Sequence, residues 1–166
     1  TLVAEMGAKP RILEITPEGK VAVEVPVKPE TDNTHMQIRM VRKLPNGNYL
    51  VPHLLAFAIK EYSPNGEIVR TIKTDLPELG GRPKRNWPFT AILLEDGRIM
   101  ANLTNGNKTV IFDKDGKVVW KATNKDVGGA PCRSLWRAGP RKWEFCDLQL
   151  RSKNVRLPSR LDSCTI

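Results

Sequence analysis

The sequence predicts an all-β chain: a partial β-propeller built of four-stranded antiparallel blades, repeating every 50 residues. Three observations carry the prediction. Leu44-Pro45-Asn46-Gly47-Asn48 and Ser63-Pro64-Asn65-Gly66-Glu67 are tight-turn signals flanked by apolar runs. Asn-Gly in that setting favours a hairpin turn whose two central residues both take positive φ. Gly47 and Gly66 lie 19 residues apart, Gly97 and Gly116 are again 19 apart, and the two pairs are offset by 50. Residues 1–129 show strand-like alternation in places and no helical period. A four-strand unit recurring at this interval is what a propeller blade requires.

Taken in order, residues 1–27 read as the last three strands of a blade, at 2–6, 11–15 and 20–25, with Gly19 as the turn glycine. The chain is therefore expected to begin inside a blade. The polar connection Lys-Pro-Glu-Thr-Asp-Asn-Thr-His ends at His35, and a full unit occupies 36–73 with strands at 36–44, 48–53, 56–62 and 67–73. A second connection, 74–86, carries Gly80-Gly81, Pro83 and Lys84-Arg85. A third unit occupies 86–123, with strands at 89–94, 98–103, 108–112 and 117–122. Runs such as 91–94 are apolar on both faces, as sheets packed between neighbours should be.

Composition narrows the partners. No apolar run approaches the ~20 residues that span a bilayer. The net charge is +9, but residues 130–166 hold eight Lys/Arg against three Asp/Glu, so over half the excess sits in the last quarter of the chain. Elsewhere charges of both signs interleave along the strands, the pattern of solvated faces, and no nucleic-acid partner is expected. Cys132, Cys146 and Cys164 fit no zinc spacing, and an odd number makes no disulfide framework, so no metal site is expected.

Phe112-Asp113-Lys114-Asp115-Gly116-Lys117-Val118-Val119-Trp120-Lys121 resembles the strand–turn–strand signature of quinoprotein-like (PQQ-like) β-propeller repeats, in which an Asp, a Gly and a blade-docking Trp recur. The resemblance covers residues 1–129. It implies a bacterial protein in a secreted or periplasmic setting, with Trp120 as a docking residue, although that position is Val23 in the first unit and Arg70 in the second. On this reading the chain is a fragment of a larger protein, holding about two and three-quarter blades. The family's calcium ligands and vicinal cysteines have no aligned counterpart. No cofactor is expected on the residues themselves, and PQQ enters through the resemblance alone.

Residues 130–166 leave the repeat pattern: they are basic, bear the cysteines and show no turn signal. One reading is a disordered extension. The other is a change of reading frame near residues 130–132, because Lys142-Trp143-Glu144-Phe145 read one base later must encode a glycine flanked by Asn or Ser, as around Gly47.

In a blade both tight turns lie at one end. The inter-blade connection and the loop between the second and third strands lie at the other, where ligands are expected. This sorting gives Asn33, His35, Arg85 and Trp87 from the connections, and His53, Asn102, Thr104 and Asn105 from the second-to-third-strand loops. His35 and Arg85 each lie 12 residues before a turn glycine, Gly47 and Gly97, so equivalent positions carry cationic or polar groups. The expected role is binding of a small anionic or carbohydrate ligand, with Trp87 as a stacking face, or of a protein partner. Fewer than three blades also leave sheet faces uncovered, so exposed apolar surface and self-association are expected. The alternative is an enzyme on the same scaffold: an arylsulfotransferase-like transferase using His35, or, less favoured, a PQQ-dependent dehydrogenase. No catalytic motif is present in the sequence.

Overall fold

A computed structural model describes residues 1–126 as three antiparallel sheets whose strands follow one another in chain order. The first sheet comprises β1 (Leu2–Glu5), β2 (Arg11–Ile15) and β3 (Val21–Pro26). The second comprises β4 (Arg42–Lys43), β5 (Tyr49–His53), β6 (Ala58–Tyr62) and β7 (Ile68–Lys73). The third comprises β8 (Asn86–Leu93), β9 (Ile99–Asn105), β10 (Lys108–Phe112) and β11 (Val118–Thr123). Two compact units divide the chain, Thr1–Lys121 and Ala122–Ile166. In the described part of the second, Asp126 accepts hydrogen bonds from the Thr123 amide and hydroxyl, both 2.7 Å. The readings of residues 130–166 lie outside the described residues.

The five turn glycines stand where the repeat places them, with φ between +81° at Gly19 and +87° at Gly47. The turn type differs from the expected one. Neither Asn46 nor Asn65 is left-handed; only the glycine is. In every one of these turns the glycine amide bonds the carbonyl three residues back, as from Gly47 to Leu44 at 2.9 Å, and that residue's amide bonds the carbonyl four residues on, Asn48 in this case, at 2.7 Å. This is a three-residue hairpin loop: a type I turn followed by a left-handed residue. Gly97 and Gly116 close the same turn behind Glu95 and Lys114, so proline is not required for it, but Pro45 and Pro64 favour it. Their rings hold φ negative at the first central position, which moves the turn one residue earlier and leaves positive φ to the glycine alone.

The second sheet is covered on both faces, and the parity of its strands divides the core. Leu50, Ile59 and Ile72 pack with Ala91, Ile99, Ala101, Leu103, Val110 and Phe112 of the third sheet. Tyr49, Val51 and Tyr62 pack with Ile12 and Val25 of the first. Strands β5 and β6 are buried throughout as a result. The most exposed large apolar side chains are on outer strands instead: Val21 of β3, Ile68 and Val69 of β7, and Val119 of β11.

Two strand expectations fail locally. The strand expected at 36–44 reduces to Arg42–Lys43, plus an isolated bridge from Ile38 to His53. Pro52 lies opposite the gap and has no N–H to continue the ladder. The strand expected from 56 starts at Ala58, because Phe57 at φ +50° turns the chain first.

Candidate functional site

The end of the sheets opposite the tight turns gathers four segments. The Gln37 side chain bonds both the amide and the carbonyl of Gly7 in the β1–β2 loop, at 2.9 and 2.8 Å. Leu54 donates to the Gln37 carbonyl at 2.9 Å, and Thr74 to that of Phe57 at 2.8 Å. The Thr74 hydroxyl then reaches the Asn86 carbonyl at 2.7 Å. This backbone lacing holds the connection end in one piece.

Arg39 sits within it. Its Nη1 donates to the Ile38 carbonyl at 2.8 Å and contacts the Met6 sulfur, just past β1, at 2.8 Å, while Nη2 donates to the His35 carbonyl. The guanidinium lies 5.5 Å from the ring centroid of Phe89 in β8. The β1–β2 loop, the connection leading into β4 and strand β8 thus meet at one cation. Burial lowers its pKa, and among the described residues no carboxylate pairs with it. Three of its five N–H donors are engaged. Two remain, as many as a bidentate carboxylate uses.

The expected site residues divide. Asn33 and His35 are exposed at the 3-10 turn Thr34–Met36. Arg85 is exposed and left-handed, its guanidinium 6.0 Å from the Trp87 ring centroid. Trp87 is half-buried, its indole nitrogen buried without a hydrogen-bond partner. It is a strand residue, as are Asn102, Thr104 and Asn105; β8 and β9 continue pairing through Trp87–Thr104 and Asn86–Asn105, where the sequence suggested loops. The Asn102 amide oxygen accepts from the Thr109 hydroxyl at 2.8 Å across the sheet. Trp120 is half-buried on β11.

His53 closes β5 rather than opening a loop, and it is only 2% exposed. It lies on the strand face that carries Tyr49 and Val51. Its Nδ1 lies 3.3 Å from a Glu30 oxygen, its Nε2 lies 3.1 Å from the Tyr62 hydroxyl, and Lys60 pairs with the other Glu30 oxygen. A carboxylate only accepts, so Nδ1 carries the proton and Nε2 accepts from Tyr62. Burial first, and the Lys60 charge second, push the imidazole down to about 4 against the pull of Glu30. Burial and the Glu30 charge raise the Tyr62 phenol. The imidazole is therefore neutral at neutral pH, and the cluster fastens the connection at Glu30 to the middle of the second sheet. Glu30, Lys60 and Arg39 were not singled out in the sequence. Lys60 alone carried a signal: it shares strand parity with Tyr62, a charge on an inward face.

An open groove of about 620 Å³ beside the β1–β2 loop is lined by Met6, Lys9, Pro26 and the charged trio Glu5, Arg11 and Glu24. Arg11 pairs with both carboxylates, so the groove's charges are already matched. Among the described residues no three His, Cys, Asp or Glu side chains come together in a way that could hold a metal ion. Among them no helix is long and apolar enough to cross a membrane.

No protein-family model matches the chain, and no curated protein does. Solved structures do. A protein of unknown function from Bacteroides caccae is 24% identical with a TM-score of 0.66, over 78% of this chain and 44% of that one. Virginiamycin B lyase from Staphylococcus aureus is 17% identical with a TM-score of 0.47, over 72% of this chain and 40% of the lyase. A streptogramin B lyase is 13% identical with a TM-score of 0.49, over 74% and 44%. The chain is a partial β-propeller. Its sheets do not close into a ring, and it spans less than half the length of the proteins it resembles.

Proposed function

We propose that this chain is the ligand-binding segment of a larger propeller protein, and that its ligand is a small carboxylated molecule, an acidic carbohydrate foremost. The observation that carries this reading is Arg39: a partly desolvated guanidinium with two N–H donors left over, no paired carboxylate among the described residues, and anchors in the β1–β2 loop, the connection before β4 and β8. A cation held in place without a counter-charge favours an anion, and a planar fork favours a carboxylate. Exposed His35 and Arg85 add donors at the same end, and Trp87 offers a ring for stacking on a sugar.

The test is titration calorimetry of the full chain with a galacturonate disaccharide and its neutral galactose counterpart. The acidic sugar should bind in preference, and Arg39→Gln should weaken it at least about tenfold, the usual effect of losing a charged hydrogen bond. Equal binding of the two sugars, or no effect of Arg39→Gln, would overturn the reading. A second reading, a transferase acting on the same anion, rests on His35, whose ring is exposed and whose own carbonyl holds Arg39. It requires turnover that His35→Ala abolishes while binding persists.

A further inference from the structure

We propose that the connection end of the third sheet carries a second, separate site for a tetrahedral dianion, phosphate or sulfate, free or as an ester, built by Lys84, Lys108 and Lys121. Each lysine is directed there by a contact of its own. The Lys108 ammonium donates to the Asn86 side-chain oxygen at 3.0 Å and to the Gly106 carbonyl at 3.1 Å. Lys121 reaches back to the Glu78 carbonyl at 3.2 Å. The Lys84 stem lies across Gly80 so closely that a Cβ there would meet its Cγ at 2.6 Å. The three converge on the connection between the second and third sheets.

The support beneath them is rigid. Asn86 is fully buried, and its amide nitrogen donates to the Leu79 carbonyl at 3.1 Å, which fixes the orientation of its oxygen toward Lys108. That oxygen fits only because residue 106 lacks a side chain: a Cβ on Gly106 would stand 2.1 Å from it. Asn105 and Asn107 on either side are both left-handed, at φ +55° and +50°, a costly backbone for two non-glycine residues. The turn thus carries strain on both sides of the glycine that admits the lysine contact.

The charges are unmatched. Among the described residues, none of the three lysines pairs with a carboxylate, and the neighbouring Asp75 is committed to Arg82 at 2.9 Å. Burial and the charges of Lys84 and Lys121 lower the Lys108 pKa, so the amines stand close enough to repel. Lys108 uses two of its three N–H donors, and the third remains for a ligand. A multivalent oxyanion would relieve the repulsion and take that donor; a single carboxylate would neutralise less.

The experiment titrates the full chain with sodium phosphate, sodium sulfate and glucose 6-phosphate at constant ionic strength, with chloride and glucose as controls. Saturable phosphate or sulfate binding is expected. Lys108→Gln should weaken it about tenfold, the usual loss of a charge-assisted hydrogen bond, and the exposed Lys84→Gln and Lys121→Gln should weaken it in the same direction. Lys9→Gln, the same charge change at the far β1–β2 loop, should not. Tighter binding of glucose 6-phosphate points to an ester, and equal binding to the free ion. The proposal falls if Lys9→Gln weakens binding as much as the three site variants, or if no oxyanion saturates below roughly 10 mM.

Discussion

Between about pH 6.5 and 4, acid should weaken the fold through the buried side chain of His53. In the unfolded chain it takes its proton near the ordinary 6.5, while in the folded chain burial and Lys60 hold it down to about 4. The unfolded state therefore binds the proton first as pH falls. Stability is intact above about 6.5, declines between there and about 4, and changes no further from this group below that. At about 1.4 kcal/mol per pH unit, the gap amounts to about 3 kcal/mol. The groups facing the ring are Glu30, Lys60 and Tyr62, and they remain in a His53→Gln variant, whose amide can still donate to Glu30 and accept from Tyr62. Urea unfolding of both proteins, followed by tryptophan fluorescence from pH 7.5 to 4, isolates the effect because the other carboxylates are common to both. The wild type should lose about 3 kcal/mol more than His53→Gln across the window. Parallel pH profiles, or a His53 ring that titrates near 6.5 by NMR, would refute the reasoning.

Other perturbations follow from the same geometry. Lys60→Met removes a charge that disfavours imidazolium, so the His53 titration should move upward by NMR, provided the fold survives in a thermal melt. Gly47→Ala and Gly66→Ala both place a side chain at positive φ, costing about 1–2 kcal/mol. Only at Gly66 does the new Cβ meet the stiff Pro26 ring, at 3.0 Å, so Gly66→Ala should melt lower than Gly47→Ala. Ile59→Ala, in the core between the second and third sheets, should cost about 2–5 kcal/mol by denaturant unfolding. Val119→Ala on an exposed outer strand should change stability by no more than about 0.5 kcal/mol.

The turn glycines were readable because their chemistry is local: each needs positive φ, and their 19-residue spacing repeats. Strand parity was readable too, and it places Tyr49 and Val51 on one face and Leu50 on the other. His53 follows the same parity and ends the strand expected at 48–53, so its burial could have been read from that strand instead of from the loop after it. What could not be read is anything set by partners distant in sequence. Glu30 meets Lys60 across 30 residues, and Arg39 meets Met6 across 33. Trp87 and Asn105 look like loop residues by composition, and only their pairing across β8 and β9 makes them strand residues.

Binding of an anion through Arg39 is tested most directly by NMR, with the side-chain Nε–H of Arg39 and the ring protons of Phe89 observed while the full chain is titrated with a galacturonate disaccharide. Both sets of signals should shift together along one saturating curve, and the neutral disaccharide should leave them in place. Saturation seen only at distant residues, with the Arg39 and Phe89 signals unmoved, would contradict the assignment.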